Sequence, residues 1–124
     1  MKKVTFQGGV HPSDQKQFAR DIPFTVYEPK GDMVYPLSQH IGAPAAALVK
    51  KGDRVLVGQK IAEAGGFVSA PVYASVSGTV KSIEKRLHPN GTMVDCIIVE
   101  NDHQDTPVSD FSMEERDYTT LSPK

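Results

Sequence analysis

At 124 residues, with 14 Lys and Arg against 15 Asp and Glu and an apolar share of 39%, the chain has the size of one domain and can bury one modest core. Near-neutral charge excludes the strong field that draws proteins onto nucleic acid or an anionic membrane, and no run approaches the ~20 apolar residues that span a bilayer. The lone Cys96 excludes an intrachain disulfide and an iron–sulfur cluster held by this chain alone, since such clusters take about four thiolates.

The chain starts with the basic Met1-Lys2-Lys3, but Val4-Thr5-Phe6-Gln7-Gly8-Gly9 follows in place of a signal peptide's apolar run, so export is not indicated. Ser13 to Arg20 has room for one or two helical turns, and no longer amphipathic helix is expected before Phe111. Glycine (10) and proline (9) fall at short intervals among Val-rich and Ala-rich runs, the punctuation of short strands and turns. An all-β domain is expected, with residues 1–33 as an N-terminal extension packed on the core, 34–100 as the core, and 101–124 as a polar exit segment or linker to a missing downstream domain.

Within the core, Gly52-Asp53 turns the chain between Val49 and Val55, and Gly58, Gly65, Gly66 and Gly78 cut the middle into pieces of strand length. From Val68 to Val76 the even positions (Val68, Ala70, Val72, Ala74, Val76) are apolar and the odd ones Ser, Pro, Tyr and Ser, a period-two strand pattern in which Pro71 implies an edge or a bulge. His88-Pro89-Asn90-Gly91 separates a strand ending near Leu87 from one spanning Met93 to Val99, and Asn-Gly is a hairpin signal. Cys96 inside that second strand reads as a small buried hydrophobe. Toward the end, Ser112 and Glu115 have capping-box spacing. Ser122-Pro123 looks like a helix start with no helix behind it, which suggests a chain cut before another domain.

Val49-Lys50-Lys51-Gly52-Asp53-Arg54-Val55-Leu56-Val57-Gly58-Gln59, followed by Ser77-Gly78-Thr79-Val80, resembles the biotinyl and lipoyl carrier pattern, where glycine turns fold short strands into a flattened sandwich over a thin core. A carrier places its modified lysine at the tip of the hairpin after the Gly-Gln strand. Here that stretch reads Ala62-Glu63-Ala64-Gly65-Gly66-Phe67-Val68, and no lysine occurs between Lys60 and Lys81. The scaffold of a swinging-arm carrier is therefore expected without its chemistry, and Lys60 is read as a solvated strand lysine.

Phe6-Gln7-Gly8-Gly9-Val10-His11-Pro12, Pro36-Leu37-Ser38-Gln39-His40-Ile41-Gly42-Ala43-Pro44 and Phe67-Val68-Ser69-Ala70-Pro71-Val72, together with that core, resemble the RnfC family. The resemblance implies a barrel-sandwich hybrid fold and membership of a peripheral subunit on the cytoplasmic face of the bacterial inner membrane. That subunit serves a complex coupling ferredoxin:NAD electron transfer to sodium-ion or proton translocation. Full-length members carry two 4Fe-4S clusters and a nucleotide- or flavin-type domain, none of which this chain contains. Catalytic, cofactor-binding and metal residues are therefore expected to be absent here. The remaining role is architectural: docking against other domains of the same subunit or other subunits, with no nucleic acid and no direct membrane insertion. Gln39, His40, Ile41, Gly42, Ala43 and Pro44 form the candidate docking loop, because loops on rigid scaffolds tend to carry recognition.

The alternatives are a phosphocarrier-like or an acyl-carrier-like module. The first needs two converging histidines, for which only His40 and His88 are available. The spacing of His11, His40, His88 and His103 argues against a metal site, because none forms an H-x-x-x-H or H-x-H pair.

Overall fold

The structure, a computed structural model, describes residue 8 and residues 12–110. Its regular elements are a 3-10 turn at Lys16–Phe18 and seven strands: β1 Met33–Pro36, β2 Ala46–Ala47, β3 Arg54–Val55, β4 Lys60–Glu63, β5 Val72–Tyr73, β6 Gly78–Leu87 and β7 Met93–Asn101. They form a four-stranded sheet of order β1-β7-β6-β3 and a three-stranded sheet of order β2-β4-β5, antiparallel throughout. This is the expected barrel-sandwich hybrid. Its thin core is filled by Val55, Ile61, Ala62, Val76, Val80, Ile97 and Val99 with the smaller Ala45 and Ala74. Cys96 is buried as read from the sequence, and desolvation pushes its thiol pKa up.

Two corners explain why the carrier pattern demands Gly-Asp and Gly-Gln. In Lys50-Lys51-Gly52-Asp53, the Lys50 N–H donates to Asp53 Oδ2 at 2.9 Å and the Asp53 N–H returns a bond to Lys50 O at 3.1 Å. In Leu56-Val57-Gly58-Gln59, the Leu56 N–H donates to Gln59 Oε1 at 2.9 Å and the Gln59 N–H to Leu56 O at 3.0 Å. Each third residue is a glycine at positive φ, +92° and +81°, as such a turn requires. Each glycine N–H then reaches a distant part of the chain, Gly52 to Val80 O in β6 and Gly58 to Ala74 O just past β5, both at 2.8 Å. One construction is used twice, and it hooks consecutive short strands over the core.

The β6–β7 hairpin forms around His88–Gly91 as expected, but only Gly91 has positive φ there. Pro89 is the reason: its ring fixes a negative φ at the second turn position, so the turn is closed by the Gly91 N–H on His88 O at 2.8 Å. The period-two strand expected from Val68 is realised later, since only Val72–Tyr73 is strand and Val68 and Ala70 are exposed. Residues 64–71 serve instead as the hairpin tip between β4 and β5.

Over residues 12–27 the extension is exposed throughout. Its attachment begins where Asn101 Nδ2 donates to Pro29 O at 3.2 Å and Lys81 Nζ meets Asp32 Oδ2 at 2.7 Å. At the other end, residues past β7 run back along the second corner. The Val57 N–H donates to Thr106 O at 2.9 Å and the Val108 N–H to Val57 O at 3.0 Å, giving a parallel bridge between Val57 and Pro107. Ser112, Glu115, Ser122 and Pro123, which carry the helix signals, lie outside the described residues.

Candidate functional site

The Gln39–Pro44 loop leaves β1 with its base closed: the Leu37 N–H donates to Asp95 O at 2.9 Å and the Ala45 N–H to Leu37 O at 2.8 Å. Gln39, itself exposed, turns its Nε2 back onto Pro36 O at 3.0 Å. The loop is then fastened to the β4–β5 hairpin tip. The Ala43 N–H donates to Val68 O at 3.0 Å, and the Ala70 N–H donates to His40 Nε2 at 3.0 Å. His40 Nδ1 faces Ile41 O at 3.1 Å. The same Nε2 also lies 3.2 Å from Ala70 O and 3.4 Å from Ser69 Oγ, so the ring touches both loops at several points.

Steric fit makes the same join tight. Gly42 has φ +100°, and a Cβ there would collide with Val68 O; a Cβ on Gly65 would collide with Pro44 O. The motif glycine thus lets two backbones touch. Within the tip, the Gly65 N–H donates to Ser69 Oγ at 2.9 Å.

What this joined pair of loops offers to solvent is apolar. Ile41 is 89% exposed and Phe67 106%, with Val68 beside them more than half exposed. A groove of about 230 Å³ lined by Leu37, Ser38, Pro44, Ala45, Met93 and Val94 together with the charged Lys85 and Asp95 lies on one side of the loop. Another of about 450 Å³, lined by Tyr35, Gln39, His40, Pro71 and Tyr73, lies on the other. Of the six loop residues singled out in the sequence, Gln39, Ile41, Gly42 and Pro44 are exposed, while His40, Gly42 and Ala43 hold the join. Phe67 and Val68 were missed as surface residues because Val68 fits the strand pattern; the signal available was a bulky aromatic directly after two glycines.

Lys60 stands in β4, exposed, with Nζ 3.0 Å from Glu63 Oε2. This hydrogen bond raises the lysine pKa and lowers that of the carboxyl, which describes a solvated strand lysine. His40 and His88 sit on separate loops with separate partners, the Asn90 N–H approaching His88 Nδ1 at 3.3 Å. Among the described residues no group of three or more His, Cys, Asp or Glu side chains is placed to hold a metal ion, and no helix is long and apolar enough to cross a membrane.

Comparison with known proteins gives these features a family. The family model of the RnfC barrel sandwich hybrid domain matches residues 4–104. The C subunit of a Na(+)-translocating ferredoxin:NAD(+) oxidoreductase complex from Acetobacterium woodii is 43% identical over 86% of this chain and 24% of its own. The C subunit of a proton-translocating ferredoxin:NAD(+) oxidoreductase complex from Clostridium ljungdahlii is 42% identical over 82% of this chain and 22% of its own. The C subunit of an ion-translocating oxidoreductase complex from Haemophilus influenzae is 36% identical over 96% of this chain and 18% of its own. The chain therefore spans a quarter or less of the length of these relatives. With both the carrier-type corners and the Ser-Gln-His-Ile-Gly-Ala-Pro loop in place, the chain belongs to the RnfC barrel-sandwich hybrid domain family.

Proposed function

We propose that this chain is the non-catalytic docking domain of an RnfC-type subunit in a membrane-bound complex that couples ferredoxin:NAD electron transfer to sodium-ion or proton movement. The subunit would sit peripherally on the cytoplasmic face, with flavin or nucleotide and iron–sulfur chemistry residing in its other domains. The observation that carries the reading is the rigid apolar tip: two loops joined backbone to backbone that present Ile41, Phe67 and Val68 to solvent. Holding large apolar groups in water on a pre-ordered support lowers the ordering cost of association and suits a contact surface. In the carrier pattern that the sequence resembles, this tip is where the modified lysine stands.

The test is made in the assembled complex, with Ile41→Ser and Phe67→Ser introduced together into the full-length subunit. Subunit retention after solubilisation should fall severalfold, and ferredoxin-dependent NAD reduction should fall with it, while cluster and flavin content of the free subunit stay unchanged. Full retention with full activity would overturn the docking assignment.

A further inference from the structure

A second apolar surface lies at the opposite kind of place, on the arm that precedes β1. Phe18, Ile22, Phe24, Val26 and Tyr27 are all exposed, Phe24 at 108% and Val26 at 94%. Ile22, Phe24 and Val26 occupy alternate positions, the spacing that lines one face when a stretch joins a sheet. No strand pairs with them among the described residues. Folded domains seldom leave such a run in water unless something covers it. The flanking charges, Arg20 and Asp21 before it and Glu28 and Lys30 after it, cancel, so the arm lacks the basic cluster that would favour an anionic membrane.

The arm's base is fixed beside the end of β7. Asn101, the last residue of β7, holds Pro29 O at 3.2 Å, and the strap from Asp102 onward starts from that same residue. Relatives match this chain across 81% or more of its length, yet it makes up no more than 24% of theirs, and the family match includes the arm. A large body of further polypeptide therefore belongs to the same subunit in these relatives.

We infer that the Ile22–Tyr27 arm is the contact through which this domain packs onto the rest of its own subunit, its occupant being an apolar face of the further polypeptide that such subunits carry outside the matched part. The inference rests on family membership but not on the tip described above, because the arm is read on the subunit alone and the tip on the assembled complex.

Hydrogen exchange read by mass spectrometry on the full-length subunit, purified without its partners, tests it. Amides of residues 24–27 should exchange at least about tenfold more slowly than in the same peptide unfolded. Phe24→Ser with Val26→Ser should return them to fast exchange, while residues 93–101 of β7 stay protected and show that the fold is intact. Fast exchange in the subunit alone with slowing only in the assembled complex would assign the arm to a neighbouring subunit and overturn the inference. Slowing that depends on protein concentration would assign it to a second copy, and fast exchange in every state would leave it uncovered; either result also overturns it.

Discussion

Ser77 shows how much one side chain can hold. It is 0% exposed, its hydroxyl donates to Asp102 Oδ1 at 2.6 Å and accepts the Thr106 N–H at 3.0 Å. Ser77→Ala leaves that amide and the carboxylate short of a partner, which should cost about 1–3 kcal/mol in urea unfolding. The Ser77 hydroxyl, helped by the Gln104 N–H and by Arg54, also holds the Asp102 carboxyl below the ordinary carboxylate range. A folded pKa below the unfolded one means that Asp102 adds stability above about pH 4 and gives it up as pH falls through the folded value. Thermal melts of the parent and of Asp102→Asn should therefore differ most near neutrality and draw together in acid, and a constant gap from pH 7 down to pH 2.5 would refute the assignment.

At the scale of elements, the join between the Gln39–Pro44 loop and the β4–β5 tip depends on Gly42. Gly42→Ala adds a Cβ into Val68 O at a positive φ, so the loops must part or the backbone must strain, at about 1–3 kcal/mol. The check is loss of stability together with faster hydrogen exchange at Ala43 and Ala70. The same elements show what was legible beforehand. Gly-Asp and Gly-Gln corners, the β6–β7 hairpin and the buried Cys96 are written in local chemistry and could be read directly. Val68 and Ala70 could not be placed, because their period-two pattern runs into Val72 without a break although the strand does not; their backbone groups bond instead to Ala43 and His40, far away in sequence. His40 was readable as a loop residue but not as the group that caps the Ala70 N–H, since the bond crosses between separate loops. The extension over residues 1–33 is expected to pack on the core, but nothing in its local chemistry says which surface covers Ile22, Phe24 and Val26.

At the scale of the whole molecule, the described structure continues past the sandwich to residue 110. Residues 102–108 fold back through the Asp102 contacts with Ser77 and Arg54 and through the Val57 bonds. Ending the chain after Asn101 should lower the urea midpoint, by the equivalent of about 2–4 kcal/mol for several lost hydrogen bonds. An unchanged midpoint would show the segment to be an ornament of the fold. Its mechanics follow from its direction. Because the strap runs parallel to the Val57 segment, a pull on the chain beyond Val108 loads the flanking bonds together, in shear, rather than opening them one after another like a zipper. Whatever load residues 109–110 carry is therefore delivered to the Val57 corner and not to the end of β7.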